Sequence, residues 1–242
     1  MERVSFTTRF LEKVPLVADL ASFRFEKPEG FSYQAGQWFK ITIPSDAGPL
    51  SKPFTYSSSP TEPFLQLTTR LSGSAFKTAL SALRPGTEVQ MEGVFGNFTL
   101  RPGLSRLAFL AGGIGVTPIR SILRYLADTG GADLDIVVLY GNQTEDGIPF
   151  KEELDEFERA LPRVRIVHVL SRPGDDWPGY RGHITAEIVE RELGDPKAWT
   201  FYTSGPPPMV EAIRSALDSL GVPKAQQVEE QFGPPAGTSS AA

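Results

Sequence analysis

The chain contains no cysteine. A disulfide framework, a Cys-ligated zinc site and a Cys-bound iron–sulfur cluster are therefore excluded within it. Histidine is scarce, with 2 residues in 242, so no metal centre is expected. Charge of one sign is also lacking: 24 Lys plus Arg stand against 29 Asp plus Glu, a net charge of −5. A mildly acidic chain has no electrostatic footprint for phosphodiester backbone, which argues against nucleic-acid binding. No apolar run approaches the ~20 residues of a membrane-spanning helix, so no membrane insertion is expected. The start, Met1-Glu2-Arg3-Val4-Ser5, lacks the basic and apolar segments of a signal peptide. The expectation is a soluble, cytoplasmic protein. What is present is an ordinary globular composition, with 40% hydrophobic and 22% charged residues.

The first hundred residues read as short strands: Ser5–Leu11, Leu20–Glu26, Gln37–Pro44, Phe54–Ser59, Phe64–Arg70 and Glu88–Gly93. Gly, Pro, Asp and Ser cluster between them, which suggests an antiparallel barrel or sandwich. One stretch differs. Ser74–Leu83 places Phe76, Ala79, Leu80 and Leu83 on one helical face, as a helix plugging one end would. From residue 105 the period changes. Strands at Arg106–Ala111, Leu134–Tyr140, Val164–Leu170, Trp199–Thr203 and Gln226–Phe232 alternate with helices at Thr117–Asp128, Phe150–Ala160, Thr185–Glu192 and Met209–Leu220. That alternation predicts a doubly wound parallel α/β sheet. The boundary falls near Arg101-Pro102-Gly103-Leu104-Ser105, and residues 233–242 read as a low-complexity, mobile tail.

Strand Arg106–Ala111 runs into Gly112-Gly113-Ile114-Gly115-Val116-Thr117-Pro118 and then a helix. Such a turn exposes backbone N–H groups at a positive helix end, which suits pyrophosphate. A second turn, Ser204-Gly205-Pro206-Pro207-Pro208-Met209, and a third, Tyr140-Gly141-Asn142-Gln143, also follow strands. In an open parallel sheet, all three can line one crevice at the carboxyl ends of the strands. In the first half, Lys52-Pro53-Phe54-Thr55-Tyr56-Ser57-Ser58-Ser59-Pro60 alternates a cation, aromatics and hydroxyls. Two-residue periodicity puts Lys52, Phe54 and Tyr56 on one face and Thr55, Ser57 and Ser59 on the other. The set suits a flat ring with polar edges and a phosphate; read alone, it equally fits an edge strand with a solvated Ser/Thr face.

Together these residues resemble the ferredoxin–NADP reductase superfamily of flavoproteins. Lys52-Pro53-Phe54-Thr55 is similar to its RxYS flavin motif, and Gly112–Pro118 to its GGxGxTP turn. Ser204–Met209 resembles CGPPxM, Glu230-Gln231-Phe232 the terminal ExF, and Gly96-Asn97-Phe98 the GxFGxF hinge. The motifs come in the family's order across residues 3–232. The resemblance implies an FAD-binding antiparallel Greek-key β-barrel over 1–103 and an NAD(P)-binding α/β domain over 104–232. It implies a flavin-dependent NAD(P)H oxidoreductase that moves a hydride between nicotinamide and flavin N5. Single electrons then pass to or from a separate protein or small-molecule acceptor, such as a ferredoxin, a flavodoxin or an oxygenase component.

The residue roles follow from the same resemblance. Lys52 meets the flavin phosphate, Phe54 packs on the isoalloxazine beside Pro53, and Thr55 hydrogen-bonds near N5. Thr69, Arg70, Ser74, Ala75, Phe76, Lys77 and Thr78 lie where the family holds ribityl and pyrophosphate. Gly113, Gly115, Thr117, Pro118, Tyr140, Gly141, Asn142, Gly205, Pro206, Pro207 and Met209 lie where it holds the nicotinamide nucleotide. Ser204 and Glu230 orient the nicotinamide. Phe232 either covers the isoalloxazine or is a core residue of the last strand. His168 and His183 read as structural, hydrogen-bonded residues. Four departures stand out: Lys52 for Arg, Phe54 for Tyr, Ser204 for Cys, and Gln143 for an Arg after Tyr-Gly. The donor is NADH or NADPH: Gln143, Glu145 and Asp146 speak against a 2′-phosphate, whereas Ser171 and Arg172 speak for one. Two further readings stay open, an FAD-binding electron-delivery subunit with poor nicotinamide use and a non-catalytic interaction module.

Overall fold

The computed structural model describes residues 4–131 and 133–233. Residues 234–242 of the expected tail lie outside the described residues. The first half comprises β1 (Ser5–Pro15), β2 (Leu20–Glu26), β3 (Trp38–Ile43), β4 (Leu50–Thr55), β5 (Phe64–Arg70), α1 (Ala75–Ser81) and β6 (Glu88–Phe95). The strands form one antiparallel sheet in the order β4-β3-β6-β1-β2-β5. β1 serves two partners. Ser5–Arg9 pairs with β6 and Phe10–Pro15 with β2, with a register shift between Phe10 and Glu12. An irregularity of this kind bends a strand and curls its sheet. Phe39, Ile41 and Ile43 of β3 turn inward, and Phe76 and Leu80 of α1 plug the same core.

β4 ends earlier than its sequence predicts. The expected strand was Phe54–Ser59, but the ladder stops at Thr55. The chain then crosses to the opposite edge: Tyr56 N–H donates to the Gln37 carbonyl (3.0 Å) and Ser57 N–H to the Gln66 carbonyl on β5 (2.8 Å). This crossing draws the two edges of the curled sheet together.

The second half comprises β7 (Arg106–Gly112), α2 (Thr117–Thr129), β8 (Asp135–Asn142), α3 (Lys151–Ala160), β9 (Val164–Leu170), β10 (Tyr180–Arg181), α4 (Ala186–Leu193), β11 (Thr200–Gly205), α5 (Pro207–Ser219) and β12 (Gln227–Gln231). All its strand pairs are parallel, in the order β10-β9-β8-β7-β11-β12. Two-residue β10 gives no readable period, so the sequence does not reveal it. β7 beyond Arg106 and all of β11 are buried on both faces because helices cover both. Strand order reverses between β7 and β11, which opens a crevice at their carboxyl ends.

The halves share packing. Ala35 and Phe98 belong to the core of the α/β half. Phe98 meets Tyr202 edge to face with centroids 5.1 Å apart, and the Tyr202 hydroxyl donates to the Thr99 carbonyl (2.8 Å). At Gly36, a Cβ would lie 2.0 Å from the Phe98 carbonyl oxygen, so only glycine permits that approach.

Candidate active site

The end of β4 meets the carboxyl ends of β7, β11 and β12. Ser204 on β11 is in register with Ala111 on β7 and Glu230 on β12, so the three form a row. Thr55, 4% exposed, reaches across from the barrel, and its hydroxyl donates to Glu230 Oε1 at 3.4 Å. Burial pushes the Glu230 carboxyl up to about 7, against the opposing effect of the Thr55 hydrogen bond. Glu230 Oε2 and Ser204 Oγ are buried with no hydrogen-bond partner. Unpartnered buried polar atoms are uncommon. Two on neighbouring strands at a switch point leave hydrogen-bonding capacity free for a ligand. Phe232 is half-buried beyond the end of β12, and its N–H donates to the Gly205 carbonyl (3.0 Å). It is therefore not a core residue of the last strand.

On the barrel side, Lys52 and Pro53 are exposed, and half-buried Phe54 lies 5.6 Å from Phe76, centroid to centroid. The Lys77 ammonium is pushed down, first by burial and then by the neighbouring charges of Lys52 and Arg70. Three cations from β4, β5 and α1 thus converge, with Arg70 also paired to Asp19. Close to them in sequence, Ser74 Oγ is buried and unpartnered, Thr69 is buried, and Ala75 and Thr78 are exposed in α1. An anion beside Lys77 relieves the repulsion that Lys52 and Arg70 exert on it, which Asp19 already opposes in part. The residues present fit FAD.

The solvated Ser/Thr face does not exist. Ser57, Ser58 and Ser59 are fully buried. Ser57 Oγ lies 2.7 Å from Thr68 Oγ1, Ser58 Oγ 2.8 Å from the Tyr33 hydroxyl, and Ser59 Oγ 2.6 Å from Thr61 Oγ1. Nor does Tyr56 share a face with Lys52. It stacks between Tyr33 and Phe39, with centroids 4.1 and 4.2 Å away. Two-residue alternation fails here because the strand has already ended.

The glycine turn is a 3₁₀ segment, Gly113–Val116, feeding α2. Its glycines have different tasks. Gly113 has φ +51° and open space where a Cβ would stand, leaving room for a ligand to approach. At Gly115, a Cβ would lie 2.2 Å from the Ser204 carbonyl oxygen, and at Gly112 2.1 Å from Met209 Sδ. These two, with buried Gly205, let the first and second turns close on each other. Thr117 is buried, its hydroxyl donating to the Ile114 carbonyl (3.1 Å), and Pro118 is buried beside it. Pro206 is exposed and Pro207 buried at the start of α5. Tyr140 is fully buried, and its hydroxyl donates to the Gly113 carbonyl at 2.9 Å. It braces the turn from beneath. Gly141 and Asn142 are half-buried at the end of β8. Beside them, Ser171 N–H donates to the Asn142 carbonyl (3.0 Å) and the Arg172 side chain to the Gln143 amide oxygen.

The histidines are placed differently from expectation. Burial, followed by the charge of Lys151, pushes His168 down to about 4, and its Nδ1 has no partner. It is a neutral β9 residue rather than a hydrogen-bonded one. His183 is exposed. The sequence reading missed Arg120, Ser121, Glu62 and Tyr33. One signal was available: Arg120 and Ser121 interrupt an apolar stretch, Val116–Leu123, in which every residue is buried.

A family model described as the oxidoreductase NAD-binding domain matches residues 109–215. The chain is 34% identical over 239 residues to ferredoxin–NADP reductase B of Sorangium cellulosum, covering 94% of this chain and 97% of that protein. It is 29% identical to the reductase component of propane 2-monooxygenase from Rhodococcus jostii, covering 95% of this chain and 64% of the relative. The crystal structure of the cytochrome b5 reductase domain of Ulva prolifera nitrate reductase superposes with a TM-score of 0.82 at 25% identity, covering 94% of this chain and 97% of that one. Motif order, the two-sheet architecture and full-length similarity agree: the chain belongs to the ferredoxin–NADP reductase superfamily of flavin-dependent NAD(P)H oxidoreductases.

Proposed function

We propose that this chain binds FAD against residues 1–103 and NADH or NADPH against residues 104–232, and that hydride passes between them at the seam of Thr55, Ser204 and Glu230. The observation that carries the reading is that seam. A barrel hydroxyl and two α/β polar groups meet at a switch point, with buried oxygen atoms left unpartnered. Bound flavin supplies an acceptor for the nicotinamide hydride and releases the electrons singly to a partner.

The chain's residues do the positioning. Phe54 backs the flavin ring, and Thr55 directs a hydroxyl towards its edge. Lys52, Arg70 and Lys77 hold the pyrophosphate with Ser74, Ala75 and Thr78. Gly113 admits the nucleotide phosphates to the backbone at the start of α2, with Gly115, Thr117 and Pro118 shaping the turn. Ser204 and Glu230 engage the nicotinamide amide, and Phe232 covers the flavin face. Gly205, Pro206, Pro207 and Met209 shape the wall beside it. Gly141, Asn142, Ser171 and Arg172 line the adenosine end. There Arg172, tethered to Gln143, is the group a 2′-phosphate would engage.

The similarity to a ferredoxin–NADP reductase and to an oxygenase reductase component supports a protein acceptor, such as a ferredoxin, a flavodoxin or an oxygenase component. The chain spans 61% of the glycine betaine monooxygenase reductase subunit of Chromohalobacter salexigens and 64% of the propane 2-monooxygenase reductase component.

An anaerobic absorbance titration with NADH and then NADPH tests the reading. Bleaching near ~450 nm by one nucleotide at low concentration supports it and settles the donor. A yellow protein that neither nucleotide bleaches points instead to an electron-delivery subunit. A protein that takes up no FAD contradicts the reading.

A further inference from the structure

The two halves are fastened at one buried point that the seam itself does not use. Arg120 lies in α2, three residues after Thr117, and is 4% exposed. Its guanidinium faces the barrel and α3 at once. Nη1 donates to the Ser57 carbonyl at 3.0 Å and to Glu62, and Nη2 donates to Glu62 Oε1 at 2.9 Å. Nε donates to Glu153 Oε2 at 3.0 Å, and Nη2 to Glu153 Oε1 at 2.5 Å. These five bonds match the five N–H donors of the guanidinium.

Glu62 is itself fixed by the Ser59 N–H at 2.6 Å, and the neighbouring Ser121 hydroxyl donates to the Ser58 carbonyl at 2.6 Å. The segment Ser57–Ser59 follows Thr55 after one residue, Tyr56. Helix α2 follows directly from the glycine turn. Arg120 therefore ties the strand that presents Thr55 to the helix that presents the phosphate-binding turn.

We propose that Arg120, clamped between Glu62 of the barrel and Glu153 of α3, is a positioning residue that sets the distance and angle between the flavin and nicotinamide sites. The proposal rests on the placement of those two sites given above. Its logic is the steep dependence of transfer on alignment. Reacting atoms must approach to roughly 3–3.5 Å, and a misplacement of ~1 Å can slow a reaction a hundredfold. The carboxylates have different tasks. Arg120–Glu62 crosses between the halves, whereas Arg120–Glu153 stays within the α/β half. A bidentate fork restrains orientation as well as distance, which a lysine point charge cannot.

The absence of cysteine makes the test direct. Cysteines introduced at exposed Ser81 and Ser219, one in each half, are spin-labelled in the FAD-loaded protein, and their distance distribution is measured by pulsed electron resonance. Glu62→Gln is expected to broaden that distribution and to slow flavin reduction at saturating nucleotide by about tenfold or more, with apparent nucleotide affinity within about twofold. Glu153→Gln removes an equal charge but is expected to leave the distribution narrow and the rate within about threefold. Arg120→Lys is expected to fall between wild type and Glu62→Gln. Should Glu62→Gln not fold, Glu62→Asp, shorter by one methylene, carries the same expectation. Equal thermal destabilisation by both glutamine variants, with distance and rate unchanged, overturns the proposal. A wild-type protein that neither nucleotide bleaches contradicts the functional reading instead, and the distance measurement still tests the clamp.

Discussion

The two halves treat most of their buried polar side chains differently, although each leaves a hydroxyl unpartnered, Ser74 Oγ in the barrel and Ser204 Oγ in the α/β half. The barrel buries a hydroxyl network, including Ser22, Ser57, Ser58 and Thr68, and its members bond to one another or to backbone. The α/β half fills its central strands with apolar residues, yet leaves Ser204 Oγ and Glu230 Oε2 unpartnered at the strand ends. Satisfied polar groups hold geometry, whereas unsatisfied ones mark where something else belongs. The difference supports the proposal that the chemistry takes place at the seam rather than deep in either half.

The comparison breaks most severely at the glycine turn. Gly115→Ala forces a Cβ to 2.2 Å from the Ser204 carbonyl oxygen, a backbone atom with nowhere to go. We expect a loss of about 3 kcal/mol or more in denaturant unfolding, together with loss of nucleotide binding. Next comes Glu230. Its carboxyl, raised from 4.5 to about 7 by burial, holds a proton in the folded state that the unfolded chain has released between those values. The pH-dependent cost of its burial is therefore absent below about pH 4.5 and grows as the pH rises to about 7. Glu230→Gln should gain stability relative to wild type over that window, by at most about 3 kcal/mol above pH 7, as followed by unfolding at several pH values. A constant difference at all pH values would place the carboxylate in water.

Smaller effects sharpen the barrel side. Lys77→Met removes the cation on which the charges of Lys52 and Arg70 act. FAD affinity in equilibrium dialysis should fall about tenfold, while the flavin-free protein becomes no less stable. The smallest effect is at Gly113, where a Cβ meets open space but φ is +51°. Gly113→Ala should cost only about 1 kcal/mol of stability, because the strain is confined to the backbone. Comparable losses at Gly113 and Gly115 would erase the distinction between a ligand-facing glycine and a packing glycine.

Much of this was legible in the sequence. Leu20–Glu26, Phe64–Arg70 and Val164–Leu170 have the observed strand bounds because their β-rich runs sit between clear turns. The glycine turn showed itself because glycine and proline at a strand-to-helix junction carry a specific backbone meaning. The hydroxyl run after Phe54 was misread for a physical reason. Two-residue alternation assumes that a strand continues, and only the long-range bonds of Tyr56 and Ser57 show that it does not. Arg120 stayed hidden because its partners, Glu62 and Glu153, are distant in the chain, and no local pattern links a buried cation to them.

The central claim is that Thr55 and Glu230, contributed by different halves, form one site. A double-mutant cycle tests it most directly. The rate of flavin bleaching at saturating nucleotide is measured for wild type, Thr55→Val, Glu230→Gln and the double variant. Contact at 3.4 Å predicts non-additivity of about fivefold or more, near 1 kcal/mol. Single effects that simply multiply, within about twofold, would show that the two residues act independently and would contradict the account.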